Sequence, residues 1–367
     1  MKFIICGGGS GGHVTPAIAI YEALKARFVN AEFLFVGRRG GSENSAYSET
    51  GERLHTVNMS GINGKSPIKA IKGVLAAIEA RKGAKKLLKE EHPDAIIGTG
   101  GYVCWPILSA GAELGIPTVI HESNAYPGLT TRLLCRRADR VLLNYGEAAA
   151  ALPQKHNVKV VGNPVRKRFS STDRRLARKK LGVRDGDIMI LSFGGSLGAR
   201  MLNETVLELM RCYSAKNPRI KHLHATGRSH YDETNENAVA APTKGDGCVT
   251  VPYIDDMASA MSAADIIISR AGAMTVSEIC AVGVASILIP SPNVADDHQT
   301  KNARYMQTSG ASLMIEEKDL TVRALLDTVR SLEAASERRR LANAARSLAK
   351  EDAASLIVSE IECVLGI

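Results

Sequence analysis

Three glycine-bearing segments of this chain have the composition of anion-binding turns. The first, Gly7-Gly8-Gly9-Ser10-Gly11-Gly12-His13, follows the apolar run Lys2 to Cys6 and leads into a helical stretch, Val14 to Phe28, with Pro16 expected in its first turn. Glycines let main-chain amides approach a ligand closely, and the positive end of a following helix favours phosphate or developing negative charge. His13 stands at the tip of that turn, where an imidazole titrating near neutrality could take a proton from a hydroxyl; a histidine that merely opens the helix is the plainer alternative. The second segment, Gly194-Gly195-Ser196-Leu197-Gly198-Ala199, offers the Ser196 hydroxyl beside adjacent amides, a fit for a diphosphate. The third runs from Ser269-Arg270-Ala271-Gly272-Ala273-Met274-Thr275 through Val276-Ser277-Glu278. There Thr275 and Glu278 have capping-box spacing, while Glu278 could instead accept both hydroxyls of a ribose diol.

Other chemistries fit less well. Gly7, Gly9 and Gly12 also satisfy the dinucleotide-binding spacing, but the second strand ends Phe35-Val36-Gly37-Arg38-Arg39 without the acid that a nicotinamide dinucleotide's ribose needs. Asp185-Gly186-Asp187 has the letters of a metal-bridging DxD motif, yet precedes a strand and reads as a turn. The seven cysteines are scattered with no zinc spacing, no window is apolar enough to span a membrane, and the amino terminus lacks a signal-peptide pattern. A net charge of +9 favours an anionic partner, while six Phe and one Trp are too few stacking aromatics for a nucleic-acid surface.

These segments need scaffolds. Apolar, mostly β-branched runs alternate with helical stretches: Lys2 to Cys6, Glu32 to Gly37, Leu54 to Asn58, Ala95 to Gly98, Thr118 to His121, Arg140 to Leu143 and Val158 to Val161. The pattern restarts after Gly162-Asn163-Pro164, with Asp187 to Phe193, Ile220 to Ala225, Cys248 to Val251, Ile266 to Ser269, Ala285 to Pro290 and Ser312 to Ile315. Alternation of this kind predicts right-handed βαβ units and two buried parallel sheets, an α/β class, and 367 residues suit two domains. The segment from Glu333 to Ile367 reads as terminal helices.

Taken together and in order, the segments resemble the bacterial N-acetylglucosaminyltransferases that add N-acetylglucosamine from its UDP derivative to undecaprenyl-pyrophosphoryl-muramoyl-pentapeptide, turning lipid I into lipid II in peptidoglycan synthesis. The likeness is carried by GGGSGGHVTPA from Gly7, SGINGK from Ser60, GTGGYVCWP from Gly98, HESNAYPGLT from His121 and GNPVR from Gly162. It continues through GGSLGAR from Gly194, ATGR from Ala225, YIDDMA from Tyr253, SRAGAMTVSEI from Ser269 and DDHQTKNA from Asp296. The resemblance implies a GT-B fold, two Rossmann-like domains with parallel sheets facing across a cleft: an acceptor- and membrane-facing domain, 1–162, a UDP-sugar domain, 163–345, and a helix near 346–367 packing back on the first.

It also implies roles. Ser10, Gly11, Gly12 and Asn124 would line the donor sugar, with His13 as catalytic base beside the acceptor hydroxyl. Arg166 and Ser196 would meet the nucleotide and its diphosphate, and the main chain of Ile254 would read the uracil. Ala273, Met274, Thr275, Val276 and Ser277 would border phosphate and sugar, Glu278 would hold the ribose diol, and Gln299 the N-acetylglucosamine hydroxyls. The implied reaction inverts the anomeric carbon and requires no metal or other cofactor, although a loosely associated divalent cation stays open. Ser10 stands where Thr is usual, Cys104-Trp105 where small residues are, and Thr131 where Asn is frequent.

Because the implied acceptor is lipid-anchored, the stretch Lys65 to Lys89 suggests attachment to an anionic membrane surface, peripherally on the cytoplasmic side of the plasma membrane. Ile68, Ile71, Val74, Leu75 and Ile78 recur near helical spacing beside Lys69, Lys72, Arg81, Lys82, Lys85 and Lys86. An ordinary core-facing helix with a solvated charged face is the alternative. Another UDP-sugar transferase, a sugar epimerase, a non-catalytic sugar-nucleotide sensor and an RNA-binding module are the competing functions.

Overall fold

Every apolar run named above forms a strand in the computed structural model, which describes residues 1–9, 11–41, 43–59, 67–153, 156–195, 198–231, 247–350 and 352–367. The chain divides into two compact units, residues 1–165 with 350–367, and residues 166–349. In the first unit the strands are β1 Lys2–Cys6, β2 Glu32–Arg38, β3 Arg53–Val57, β4 Ala95–Gly98, β5 Thr118–Glu122, β6 Arg140–Leu143 and β7 Val158–Val160. They form one parallel sheet in the order β3-β2-β1-β4-β5-β6-β7. Helices α1 Gly11–Arg27, α2 Glu43–Ser48, α3 Pro67–Glu91, α4 Cys104–Leu114 and α5 Leu129–Leu134 connect them.

Period-two alternation decides which side chains meet which helices. Phe3, Ile5, Phe33 and Phe35 point to the face covered by Val14, Ala17, Ile20 and Leu24 of α1. Ile4, Cys6, Leu34, Val36 and Ile96 point to the other, under Ala84 and Leu88 of α3 and Ile107 and Leu108 of α4. Both faces are dry, so the strands read as unbroken apolar runs.

Within α3 the sequence holds two functions apart. Ala77, Ala84, Leu87 and Leu88 are buried in the core, whereas Leu75 and Ile78 are 61% and 47% exposed. Of the basic flank, Arg81 and Lys85 both pair with Glu113 of α4, while Lys82 and Lys86 point outward. Two of the six basic side chains expected to face a membrane are thus committed to holding two helices together. Lys65 and the side chains of Ile68, Lys69, Ile71, Lys72 and Val74 lie outside the described part.

The second unit carries β8 Ile188–Phe193, β9 Ile220–Ala225, β10 Cys248–Val251, β11 Ile266–Ser269, β12 Ala285–Leu288 and β13 Leu313–Met314. Their parallel order is β10-β9-β8-β11-β12-β13. Its helices are α6 Arg168–Ser171, α7 Arg174–Lys180, α8 Arg200–Leu209, α9 Met257–Ala263, α10 Ala273–Val282, α11 His298–Thr308, α12 Val322–Ser331 and α13 Ala335–Ser347. Ile190, Ile268 and Ile287 meet Leu202, Val206 and Leu209 of α8 and Leu325 and Val329 of α12. A polar patch is also enclosed: Ser192 Oγ lies 2.8 Å from both His222 Nε2 and His224 Nδ1, and Ser214 Oγ lies 3.0 Å from His222 Nδ1. Burial keeps these two imidazoles neutral, lowering their pKa values to about 3 and about 4.

The final helix, α14 Ala353–Leu365, belongs to the first unit. It adds Ile357, Val358 and Ile361 to the core beneath α1, and Glu362 and Glu360 accept from Arg27 and Arg140 at 2.6 and 2.7 Å. Asp185-Gly186-Asp187 is a turn closed by the Arg184 amide donating to Asp187 at 3.0 Å, at the amino end of β8.

Candidate active site

Both sheets reverse their strand order once, between β1 and β4 and between β8 and β11. In open parallel sheets, loops leaving the carboxyl ends of strands diverge at such a reversal and open a crevice for ligands. The glycine turns leave those ends: Gly7–Gly9 after β1, Thr99–Tyr102 after β4, Gly194 and Gly195 after β8, and Arg270–Gly272 after β11.

In the first unit, three loops lock together. α1 begins at Gly11, so His13 stands in its first turn and Pro16 in its second. This corrects the expectation of a loop histidine with a first-turn proline: two glycines without side chains join the helix, leaving a proline that cannot donate to the Gly12 carbonyl. His13 Nδ1 lies 3.1 Å from the Thr99 carbonyl oxygen, and the Thr99 hydroxyl donates back to the His13 carbonyl at 2.7 Å. A carbonyl can only accept, so Nδ1 carries the proton, and in the neutral ring the lone pair sits on Nε2. The fit depends on absent side chains. A Cβ on Gly100 (φ +110°) would stand 2.5 Å from His13 Nδ1, and one on Gly101 (φ +82°) would stand 2.1 Å from the Gly8 carbonyl oxygen.

The third loop hangs on Glu122 at the end of β5. Its buried carboxylate accepts from the Asn124 amide nitrogen (3.1 Å), Asn124 Nδ2 (3.0 Å), the Gly128 amide (2.9 Å) and the Thr131 hydroxyl (2.7 Å). Asn124 is therefore oriented, and Thr131 has a structural use. The Thr130 hydroxyl donates to the Gly101 carbonyl at 3.2 Å, tying this loop to the one that holds His13.

In the second unit, α10 starts at Ala273 with Gly272 as its N-cap and no side-chain cap. Thr275 sits within the first turn and Glu278 a turn further on, so the expected capping box does not form. The extended Gly272 stops the chain three residues earlier than that reading required. Ser277 bonds to the Ala273 carbonyl at 3.0 Å. Burial raises the Glu278 carboxyl to about 7, against the pull of the Arg166 and Arg168 charges nearby. Arg166 Nε is buried and has no hydrogen-bond partner among the described residues. An unpaired charged donor beside a carboxyl is costly unless a ligand completes it.

Gln299 opens α11, where its Oε1 accepts from the Ser291 amide at 2.9 Å. Asp296 and Asp297, with φ of 53° and 51°, turn the chain sharply just before it. Ile254 lies half-buried in the loop after β10. Asn302 donates from its buried amide to the Ala271 carbonyl at 3.1 Å, fixing the turn that precedes α10.

Two groups thus emerge. Gly11, Gly12, His13 and Asn124 share one end of the first sheet; Arg166 adjoins Glu278, and Ile254, Ala273, Met274, Thr275, Val276, Ser277 and Gln299 follow strand ends of the second. Ser10 and Ser196 lie outside the described residues. Thr99, Gly100, Gly101 and Glu122 have no individual role among those the motifs imply, although GTGGYVCWP and HESNAYPGLT contain them. Their signal was a glycine pair directly after a strand, and an acid at a strand end followed by Ser-Asn. Among the described residues no group of three or more His, Cys, Asp or Glu could hold a metal ion.

Two family profiles match this arrangement. The glycosyltransferase family 28 N-terminal domain matches residues 3–143, and the family 28 C-terminal domain residues 189–359. The chain belongs to glycosyltransferase family 28. Similar curated proteins span it almost end to end. One from Thermoanaerobacter sp. (strain X514) is 39% identical over 99% of this chain and 100% of its own length. One from Desulforudis audaxviator (strain MP104C) is 38% identical over 100% and 99%. Each is named UDP-N-acetylglucosamine--N-acetylmuramyl-(pentapeptide) pyrophosphoryl-undecaprenol N-acetylglucosamine transferase. Among solved structures, the crystal structure of MurG from Acinetobacter baumannii aligns with TM-score 0.77 and 29% identity, covering 99% of both chains. The fold expected of family 28 from the motifs, two parallel-sheet α/β units of the GT-B type, is the fold found. Among the described residues no helix is long and apolar enough to cross a membrane.

Proposed function

We propose that this family 28 glycosyltransferase moves N-acetylglucosamine from UDP-N-acetylglucosamine to the C4 hydroxyl of lipid-linked muramoyl-pentapeptide, forming lipid II with inversion at the anomeric carbon. The observation that carries the reading is the imidazole of His13, held by the Thr99 carbonyl with its proton on Nδ1, in the first turn of α1 of a chain whose full-length relatives carry that transferase name.

In this reading Nε2 of His13 takes the proton of the acceptor hydroxyl as its oxygen attacks C1 from the face opposite the leaving group. The C1–O bond breaks and its electron pair stays with UDP. Arg166, Ser196 and the first amides of α10, at Ala273, Met274 and Thr275, answer the charge that grows on the diphosphate. No metal is required in this scheme. Glu278 holds the ribose diol, the main chain at Ile254 reads uracil, and Val276 and Ser277 border the nucleotide. Ser10, Gly11, Gly12, Asn124 and Gln299 position the sugar.

The acceptor's lipid anchor gives the exposed Leu75 and Ile78, with outward Lys82 and Lys86, a use: peripheral contact with the anionic cytoplasmic face of the plasma membrane. The deciding experiment is incubation with UDP-N-acetylglucosamine and a lipid I analogue. A β-1,4-linked disaccharide product supports the assignment; turnover only with another UDP-sugar or another acceptor overturns it.

A further inference from the structure

The second unit has two ends. Its glycine turns leave the carboxyl ends of the strands, whereas a separate cavity of about 360 Å³ opens where β11 and β12 begin, beside Asp265 and Ala285. An adjoining cavity of about 570 Å³ shares Arg174, Asp265, Ala335 and Arg338 with it.

The sequence of α13 makes this space. Ala335, Arg338, Arg339, Ala342 and Arg346 fall at helical spacing on one face, and all line the cavity. The two alanines are too short to fill the gap against the strand starts, so a hollow remains between flanking guanidinium groups. Apolar walls come from Phe169 and Val284.

Charge in the hollow is unbalanced. Its one carboxylate among the described residues, Asp265, is already engaged at both oxygens: it accepts from Arg174 at 2.7 Å, Arg178 at 2.9 Å and the Met189 amide at 2.8 Å. Arg338, Arg339 and Arg346 have no ion-pair partner among the described residues. Two of them are nonetheless held in place. Arg338 donates to the Leu332 and Glu333 carbonyls at 2.6 and 2.7 Å, and Arg346 to the Val282 carbonyl at 2.6 Å. Burial, with smaller contributions from the Arg178 and Arg338 charges, lowers the Arg174 guanidinium from its usual range against the opposing pull of Asp265, so a further anion in the hollow would be favoured there.

We propose that this hollow is a second, anion-specific site that takes a small phosphate ester such as a sugar phosphate. Guanidinium forks match phosphate oxygens two at a time, the volume suits a small ligand, and the apolar walls suit a compact body attached to the phosphate. The site lies at the strand ends opposite the glycine turns, so its occupancy does not require the nucleotide to leave.

The test is calorimetric titration of glucose 6-phosphate, and separately of inorganic phosphate, into protein saturated with UDP. Expected is one additional site that prefers the ester and is weakened about tenfold by Arg339→Ala and again by Arg346→Gln. The Arg339 side chain makes no hydrogen bond or ion pair among the described residues, so its loss should leave folding unchanged; Glu278→Gln serves as the control that should leave the new site intact. No saturable heat in UDP-saturated wild type, or equal binding by the arginine variants, overturns the proposal. Sedimentation with phosphatidate vesicles should not depend on Arg339. If only vesicle binding does, the hollow reads a lipid headgroup and the small-molecule assignment is wrong.

Discussion

The imidazole of His13 and the carbonyl of Thr99, 3.1 Å apart, lie on segments that follow two neighbouring strands, β1 and β4, and are 86 residues apart in sequence. The reversal of strand order between β1 and β4 creates that meeting, and the Gly100-Gly101 pair lets the two loops close on each other. Replacing Gly100 by alanine should therefore push the ring off its acceptor. Turnover is expected to fall about a hundredfold with a smaller change in donor KM, because the substrate still binds but its base is misplaced. His13→Ala should lose about 10²–10⁴ in kcat by steady-state assay. Full activity in both variants would remove His13 from the chemistry.

Donor affinity should depend on pH through Glu278. Its carboxyl titrates at about 7 because burial opposes the charge, so the diol-accepting carboxylate is present above that value and disappears below it. UDP binding measured by calorimetry is expected to weaken between pH 8 and pH 6. Glu278→Gln should bind more weakly throughout and show a flatter profile over that range.

The pair His222 and His224 predicts sensitivity to acid. Their pKa values fall from the ordinary 6.5 to about 3 and about 4 on folding, so the unfolded chain binds more protons between those limits. Their stabilising contribution is complete above pH 6.5 and is lost as pH falls toward the folded values, at up to about 2.7 kcal/mol per pH unit for two protons. Urea unfolding at pH 7.5, 6 and 5 measures the slope; His224→Gln should make it shallower by about one proton.

Removing the Glu122 carboxylate would strand donors from Asn124, Gly128 and Thr131. Glu122→Gln should cost roughly 2–4 kcal/mol by denaturant unfolding and loosen Asn124. The conservative Thr131→Ser should keep most of both.

For membrane contact, Leu75→Ser with Ile78→Ser and Lys82→Glu are expected to reduce co-sedimentation with anionic liposomes while sparing turnover of a soluble acceptor analogue. Lys85 is a poor choice for such a test, since it pairs with Glu113 and its loss would disturb the packing of α3 on α4.

Strands were the easiest elements to see in the sequence, because both faces of each sheet are covered and runs such as Ile4-Ile5-Cys6 and Ile266-Ile267-Ile268 therefore have no polar interruptions. Boundaries at the site were harder. Gly11 and Gly12 have low helix propensity, yet α1 begins with them; Thr275 and Glu278 have cap spacing, yet the N-cap is Gly272 and the helix starts at Ala273. Local rules fail there because neighbouring loops, rather than local preference, set the backbone. The hydrogen bonds between Thr99 and His13 and the electrostatic influence of Arg166 on Glu278 join segments far apart along the chain, and no spacing rule reaches that distance. The pairing of Arg81 and Lys85 with Glu113 was hidden for the same reason.

The placement of α14 has a consequence for how the protein is made. Ile357, Val358 and Ile361 complete the core beneath α1, so the amino-terminal sheet emerges from the ribosome with one flank bare and stays so while the whole of the second unit is synthesised. Until α14 has emerged, the apolar positions it covers beside α1 are open to chaperones or to wrong partners, and a chain truncated at residue 345 should be captured by holdases far more readily than the 367-residue chain.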